Sequence, residues 1–149
     1  MNDKHPDDGG TSGLAYLQSL LKDWHGSPMA DLMGIRLVAV EDGCATFEAV
    51  PTSKYYNPQM RMHGGYCATL IDSAMGCAVQ TRLPKNIGYG TIEMKVNYVR
   101  KLVVESGTLR CIGTVIHSGR TMFTAEARVI DGDGKLYAHG SGTFLVYPS

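Results

Sequence analysis

The chain has no surplus of either charge. Fourteen Lys and Arg residues balance fourteen Asp and Glu over 149 positions, with no basic run. Nucleic acid and anionic membrane surfaces are therefore poor candidates as general partners. No stretch is apolar for long enough to be a transmembrane span. The opening MNDKHPDDGGTSG is polar and glycine-rich and lacks the apolar core of a signal peptide, so residues 1–13 are expected to form a disordered leader. These absences point to a soluble, cytoplasmic protein.

Cofactor motifs are missing too. The four cysteines, Cys44, Cys67, Cys77 and Cys111, form no CxxC pair. Cys67 and Cys77, on one helix, would stand about 15 Å apart, too far for a disulfide. The five histidines show no HExxH or related spacing, so no metal site is expected. GxGxxG, P-loop and GxSxG patterns are absent, which leaves nucleotide-binding and serine-hydrolase readings without support. No cofactor is expected.

What the chain does have is one carboxylate in an unusual place. From Gly64 to Thr81, GGYCATLIDSAMGCAVQT, Asp72 is the only charged residue. Burying it without partners would cost several kcal/mol. Gly64-Gly65 open the same segment, and a helix starting there presents unpaired N–H groups at its positive end, suited to a developing oxyanion. Together they suggest acyl-transfer chemistry. A core helix whose Asp is held by backbone donors would look the same in sequence.

Periodicity arranges the rest. Leu14, Leu17, Leu20, Leu21 and Trp24 mark an amphipathic helix from Leu14 to about His25. Pro28 and Gly34 bracket a short turn. Strands over Ile35 to Glu41 and Cys44 to Val50 meet at the Asp42-Gly43 hairpin signal. An irregular run from Pro51 to Met62 contains the Asn57-Pro58 turn, and the central helix is predicted from Gly64 to Leu83. Runs over Thr91 to Arg100, Gly107 to His117, Thr121 to Asp131 and Lys135 to Tyr147 read as a four-stranded meander. The expectation is one α+β domain over 14–149, its sheet curled around one long helix.

That order of elements resembles the hotdog-fold acyl-CoA thioesterases, most closely the phenylacetate-degradation (PaaI-like) branch. The likeness runs from about Pro28 to Tyr147. It is carried by the spacing of Asn57, His63-Gly64-Gly65 and Asp72, by the strand YGTIEMKVNYVR, and by the closing run GKLYAHGSGTFLVY. It implies that Asn57 and Gly64 hold the thioester carbonyl oxygen while Asp72 and Thr91 position a water. Direct attack by Asp72 to form an anhydride stays open. His63 either takes a direct part in proton transfer, orients the Asn57 region or caps the chain. In a related branch a hydroxyl residue follows the acid by one helical turn; Gly76 stands there in this chain, so no hydroxyl is expected from that side.

Other contacts are expected around this centre. The His117-Ser118-Gly119-Arg120 turn resembles a loop near the nucleotide end of coenzyme A, and Arg120 is the favoured phosphate contact. Arg100, Lys101, Arg110 and Arg128 read as a solvated sheet face. Gly65, Tyr66, Met60, Met62 and Met94 are expected near the substrate, the methionines suiting variable acyl chains, although Tyr66 and the three methionines would read the same as core residues.

Asp72 lies eight residues beyond Gly64, about 12 Å along a helix, so one carbonyl cannot touch both. Either the chain bends sharply or two copies share each site, which predicts a homodimer or a dimer of dimers. The alternatives are a hotdog dehydratase or hydratase, whose proline-rich loop after the His is absent here, and a non-catalytic acyl-thioester binder.

Overall fold

A computed structural model describes residues 11–148. The leader expected over 1–13 falls outside the described residues up to position 10. Its last residues are already structural: Ser12 accepts the N–H of Ala15 and caps helix α1 (Gly13–Lys22). Gly13 also packs so closely on the end of the central helix that a Cβ there would meet the Gln80 carbonyl oxygen at 1.9 Å. Helix α1 stops earlier than its periodicity suggests, because Asp23 leaves helical dihedrals. The short helix α2 (Pro28–Met33) follows, capped by Ser27 and ended by Gly34 at φ +64°, the left-handed position glycine adopts without strain.

Strands β1 (Ile35–Glu41) and β2 (Cys44–Ala49) form the hairpin expected at Asp42-Gly43. The helix α3 (Gly64–Gln80) then runs unbroken, ending three residues short of the expected Leu83. Four strands complete the chain: β3 (Ile87–Tyr98), β4 (Leu109–Ser118), β5 (Met122–Ile130) and β6 (Leu136–Pro148).

The expected four-stranded meander is only three-stranded. The sheet order is β1-β2-β4-β5-β6-β3, all neighbours antiparallel. β3 crosses to the far edge and pairs with β6 rather than β4. The physical reason lies in the connection: residues 99–108 contain no two-residue turn but a 3-10 turn over Val104–Ser106. That length carries the chain past the start of α3, where the Leu102 carbonyl accepts the Met62 N–H at 2.9 Å.

The sheet curls around α3, whose Leu70, Ile71, Ala74, Met75 and Ala78 are fully buried. Strand alternation supplies the other wall: Ala125, Ala127 and Val129 of β5 face the helix while Glu126 and Arg128 face outward. Close approach depends on glycine at the contact, since a Cβ on Gly113 of β4 would lie 2.2 Å from the Ala74 carbonyl oxygen. A bulge between Thr91 and Glu93 shifts the β3 register. Without it Thr91 and Tyr98, seven residues apart, would face opposite sides; with it both pair with inward positions, Phe144 and Ala138.

Candidate active site

Asp72 projects from the middle of α3 into a cavity of about 730 Å³. Thr91, from the inward face of β3, donates its hydroxyl to Asp72 Oδ1 at 2.9 Å. Oδ2 has no hydrogen-bond partner among the described residues. The two side chains assigned to water positioning thus touch in the fold. Beyond them the cavity widens between α1 and the sheet, with Leu17, Leu20, Trp24, Leu37 and Phe47 on its walls. Leu17 and Leu20 of α1 escaped the sequence reading as cavity residues because an amphipathic stripe looks alike whether it covers a core or a ligand.

The other half of the expected site lies elsewhere. Asn57, His63 and Gly64 line a separate cleft of about 370 Å³ that shares no lining residue with the first. Asn57 closes a tight turn: its N–H donates to the Arg61 carbonyl and its Oδ1 accepts the Gln59 N–H at 2.9 Å. With Oδ1 engaged, the Nδ2 group is left as a donor. His63 is the N-cap of α3, its Nδ1 accepting the Gly65 N–H at 2.9 Å. This uses the Gly65 N–H and leaves the Gly64 N–H as the unpaired donor at the helix start. Tyr98 lies over this glycine and donates its hydroxyl to the Gly64 carbonyl at 2.9 Å.

The remaining candidates spread out. Tyr66 is buried and stacked on Tyr55 with ring centroids 5.2 Å apart; it lines neither cavity, and burial pushes its phenol up to about 12. Met94 is half-buried on β3 and lines neither cavity, while Met62 lines the Gly64 cleft and Met60 is exposed. Ser118, Gly119 and Arg120 form the β4–β5 turn, away from both cavities, where Ser118 Oγ accepts from Arg82 at 3.0 Å. Instead, Arg61, Arg100 and Lys101 line the cleft that holds Gly64. The Arg61 Nε is buried without a hydrogen-bond partner. No sequence pattern marked Arg61, which sits in an irregular run. Among the described residues no helix is long and apolar enough to cross a membrane, and no three His, Cys, Asp or Glu side chains gather as metal ligands.

The chain has counterparts among known proteins. The chain belongs to the thioesterase superfamily, whose family model matches residues 61–138, a span that includes α3 and β3. A Halobacterium salinarum protein named as a candidate esterase is 31% identical over 89% of this chain and 91% of its own length. A conserved Pseudomonas aeruginosa protein of known structure is 34% identical, with a TM-score of 0.76 over 82% of this chain and 95% of that one. The E. coli PaaI protein from the phenylacetic acid degradation operon shares the fold at 17% identity, with a TM-score of 0.79 over 92% of this chain and 95% of its own. The thioesterase family and the hotdog fold expected from sequence are thus both found, and the PaaI protein shares that fold.

Proposed function

We propose that the protein hydrolyses acyl-CoA thioesters to the free acid and coenzyme A, in sites shared between two subunits. The observation that carries this reading is the division of one set of thioester-cleaving groups between two cavities. The carboxylate and its Thr91 partner stand in one, the unpaired Gly64 N–H and the Asn57 amide in the other. Because α3 runs as one unbroken helix between them, no break in the helix removes the offset of about 12 Å. Strand β3 is the free edge on that side of the sheet, and its Ile92 and Tyr98, with Val99 just beyond it, are 54, 55 and 53% exposed. Such an edge invites a second strand. An antiparallel copy of β3, centred near Met94 and Lys95, would set Tyr98 of the partner subunit opposite Thr91. Gly64 of the partner subunit would then face Asp72.

In that arrangement the carbonyl oxygen accepts from the Gly64 N–H and Asn57 Nδ2, with the α3 dipole adding to both. Thr91 holds Asp72 Oδ1, and Oδ2 takes a proton from water. The water oxygen forms a bond to the carbonyl carbon, the C–S bond breaks, and its electron pair leaves on sulfur. The proton held by Asp72 passes to the thiolate. A thiolate leaves readily, so neither a metal nor a Ser-His-Asp triad is required. Arg61, Arg100 and Lys101 stand in the oxyanion cleft where the phosphates of the coenzyme would pass. The acyl group enters the cavity walled by α1. A dehydratase needs a free imidazole base, whereas His63 commits Nδ1 to the helix cap. A cytoplasmic setting fits free thiols at Cys44, Cys67, Cys77 and Cys111.

The test is thiol release from a panel of short, medium, aryl and long acyl-CoAs. Turnover of at least one, lost about a hundredfold or more in Asp72→Ala with the oligomer intact, is expected. No release from any member, or a fully active Asp72→Ala protein, overturns the assignment.

A further inference from the structure

We propose that Tyr89 holds the attacking water on the side away from Thr91, its phenol hydroxyl filling the space that Gly76 leaves open beside Asp72. This deepens the hydrolase reading above and rests on it.

The geometry is a two-rung ladder between α3 and β3. The first rung is Thr91 Oγ1 on Asp72 Oδ1 at 2.9 Å. One helical turn further along α3, about 6 Å, stands Gly76, on the same face as Asp72. Two residues back along β3, about 6.6 Å, stands Tyr89, on the same face as Thr91. These two form the second rung. A Cβ on Gly76 would lie 2.9 Å from the Tyr89 hydroxyl oxygen and 3.0 Å from its ring edge. Any side chain at 76 would push the phenol away. A hydroxyl one turn after the acid, which the sequence of α3 lacks, is thus delivered from the neighbouring strand.

Three observations favour a working group over a wall. Tyr89 lines the same cavity as Asp72 and Thr91, and its hydroxyl makes no hydrogen bond among the described residues; Tyr147 bonds its carbonyl instead. The ring is fixed edge-on against Phe144, with centroids 6.0 Å apart, so its position does not depend on the hydroxyl. Burial, then the neighbouring Cys77 and Asp72 of α3, Tyr147 of β6 and Tyr16 of α1, all push its ionisation up. The hydroxyl therefore stays protonated and acts as a donor.

Tyr89→Phe removes the hydroxyl and keeps the ring. Assayed as the whole protein on the acyl-CoA that the parent cleaves best, it should lose kcat by about ten- to a hundredfold, with KM and melting temperature little changed. Gly76→Ala should lower kcat by the same route, so its loss should shrink when Tyr89 is already Phe. Parental kcat in Tyr89→Phe, beside an inactive Asp72→Ala, would leave the hydrolase reading standing and overturn this one. A rise in KM alone, or losses at 76 and 89 that simply multiply, would overturn it too. If Asp72→Ala itself remains active, the hydrolase reading fails first.

Discussion

Two inactive variants should form an active heterodimer. Gly64→Pro deletes the proposed oxyanion donor, and the local backbone accepts it. Gly64 is the first residue of α3, the helical position where proline is best tolerated. His63 before it has φ −60° and ψ 139°, the extended conformation that a following proline requires. A Cβ at 64 would meet the exposed tip of Tyr98 at 3.1 Å, a contact the phenol relieves by a small movement. The variant should keep its helix and lose about 10²- to 10³-fold in rate. Asp72→Ala should lose at least about a hundredfold for want of a base. Co-expression of the two chains with different tags isolates the heterodimer, whose mass confirms it. If each site takes Gly64 from one chain and Asp72 from the other, one site carries both lesions and its twin carries neither. Thiol release should then reach about half that of the parent dimer. A well-folded heterodimer as inactive as its parents would refute the shared site and require one chain to supply both groups.

Asn57→Ala should lower kcat about ten- to a thousandfold in steady-state thiol release; a raised KM alone would make Asn57 a binding residue. Gly113→Ala should cost at least about 2 kcal/mol by overpacking, or roughly 4–8 °C in melting temperature, because its Cβ would lie 2.2 Å from the Ala74 carbonyl oxygen; an unchanged thermal midpoint would contradict that contact. Asp131 closes the β5–β6 turn, and the Lys135 N–H, with Asp133 N–H and the Tyr137 hydroxyl, holds its carboxyl below the usual range. A depressed folded pKa gives stability that is present above the unfolded value near about 3.9 and lost as pH falls through the folded value. Asp131→Asn should therefore melt earlier than the parent at pH 7 and converge with it in acid; a gap that persists at low pH would show that charge is not the cause.

Local chemistry was readable in the chain wherever neighbours in sequence decide the outcome. Asp42-Gly43 set a turn that two flanking residues suffice to build, and Gly43 takes φ +72° there. The inward alternation of Ala125, Ala127 and Val129 reads directly as strand and face. Asp72 stood out because a lone carboxylate in an apolar helix is costly without a purpose. The partner of β3 was not readable, since pairing across ten connecting residues depends on which edge remains free, and nothing local records that. Thr91 entered only through family likeness, because a β-branched residue in a strand is ordinary.

Tyr89 marks the limit of such reading most clearly. An aromatic in a strand and a glycine in a helix are each unremarked alone, and thirteen positions separate 76 from 89. Their meaning appears when β3 is laid beside α3 and a Cβ on Gly76 would come within 2.9 Å of the Tyr89 hydroxyl. The same holds for the whole site. The spacing of Gly64 and Asp72 left a sharp bend or a second copy as the ways to complete the site, but did not say which surface a second copy would use. The fold supplies a candidate: a free β3 edge whose two-fold pairing would bring the two cavities together. The bulge after Thr91 contributes by turning both Thr91 and Tyr98 inward, one toward the carboxylate and one over Gly64. Straightening that bulge would turn one of them away, so the register of β3, more than any single side chain, sets whether the two half-sites can meet.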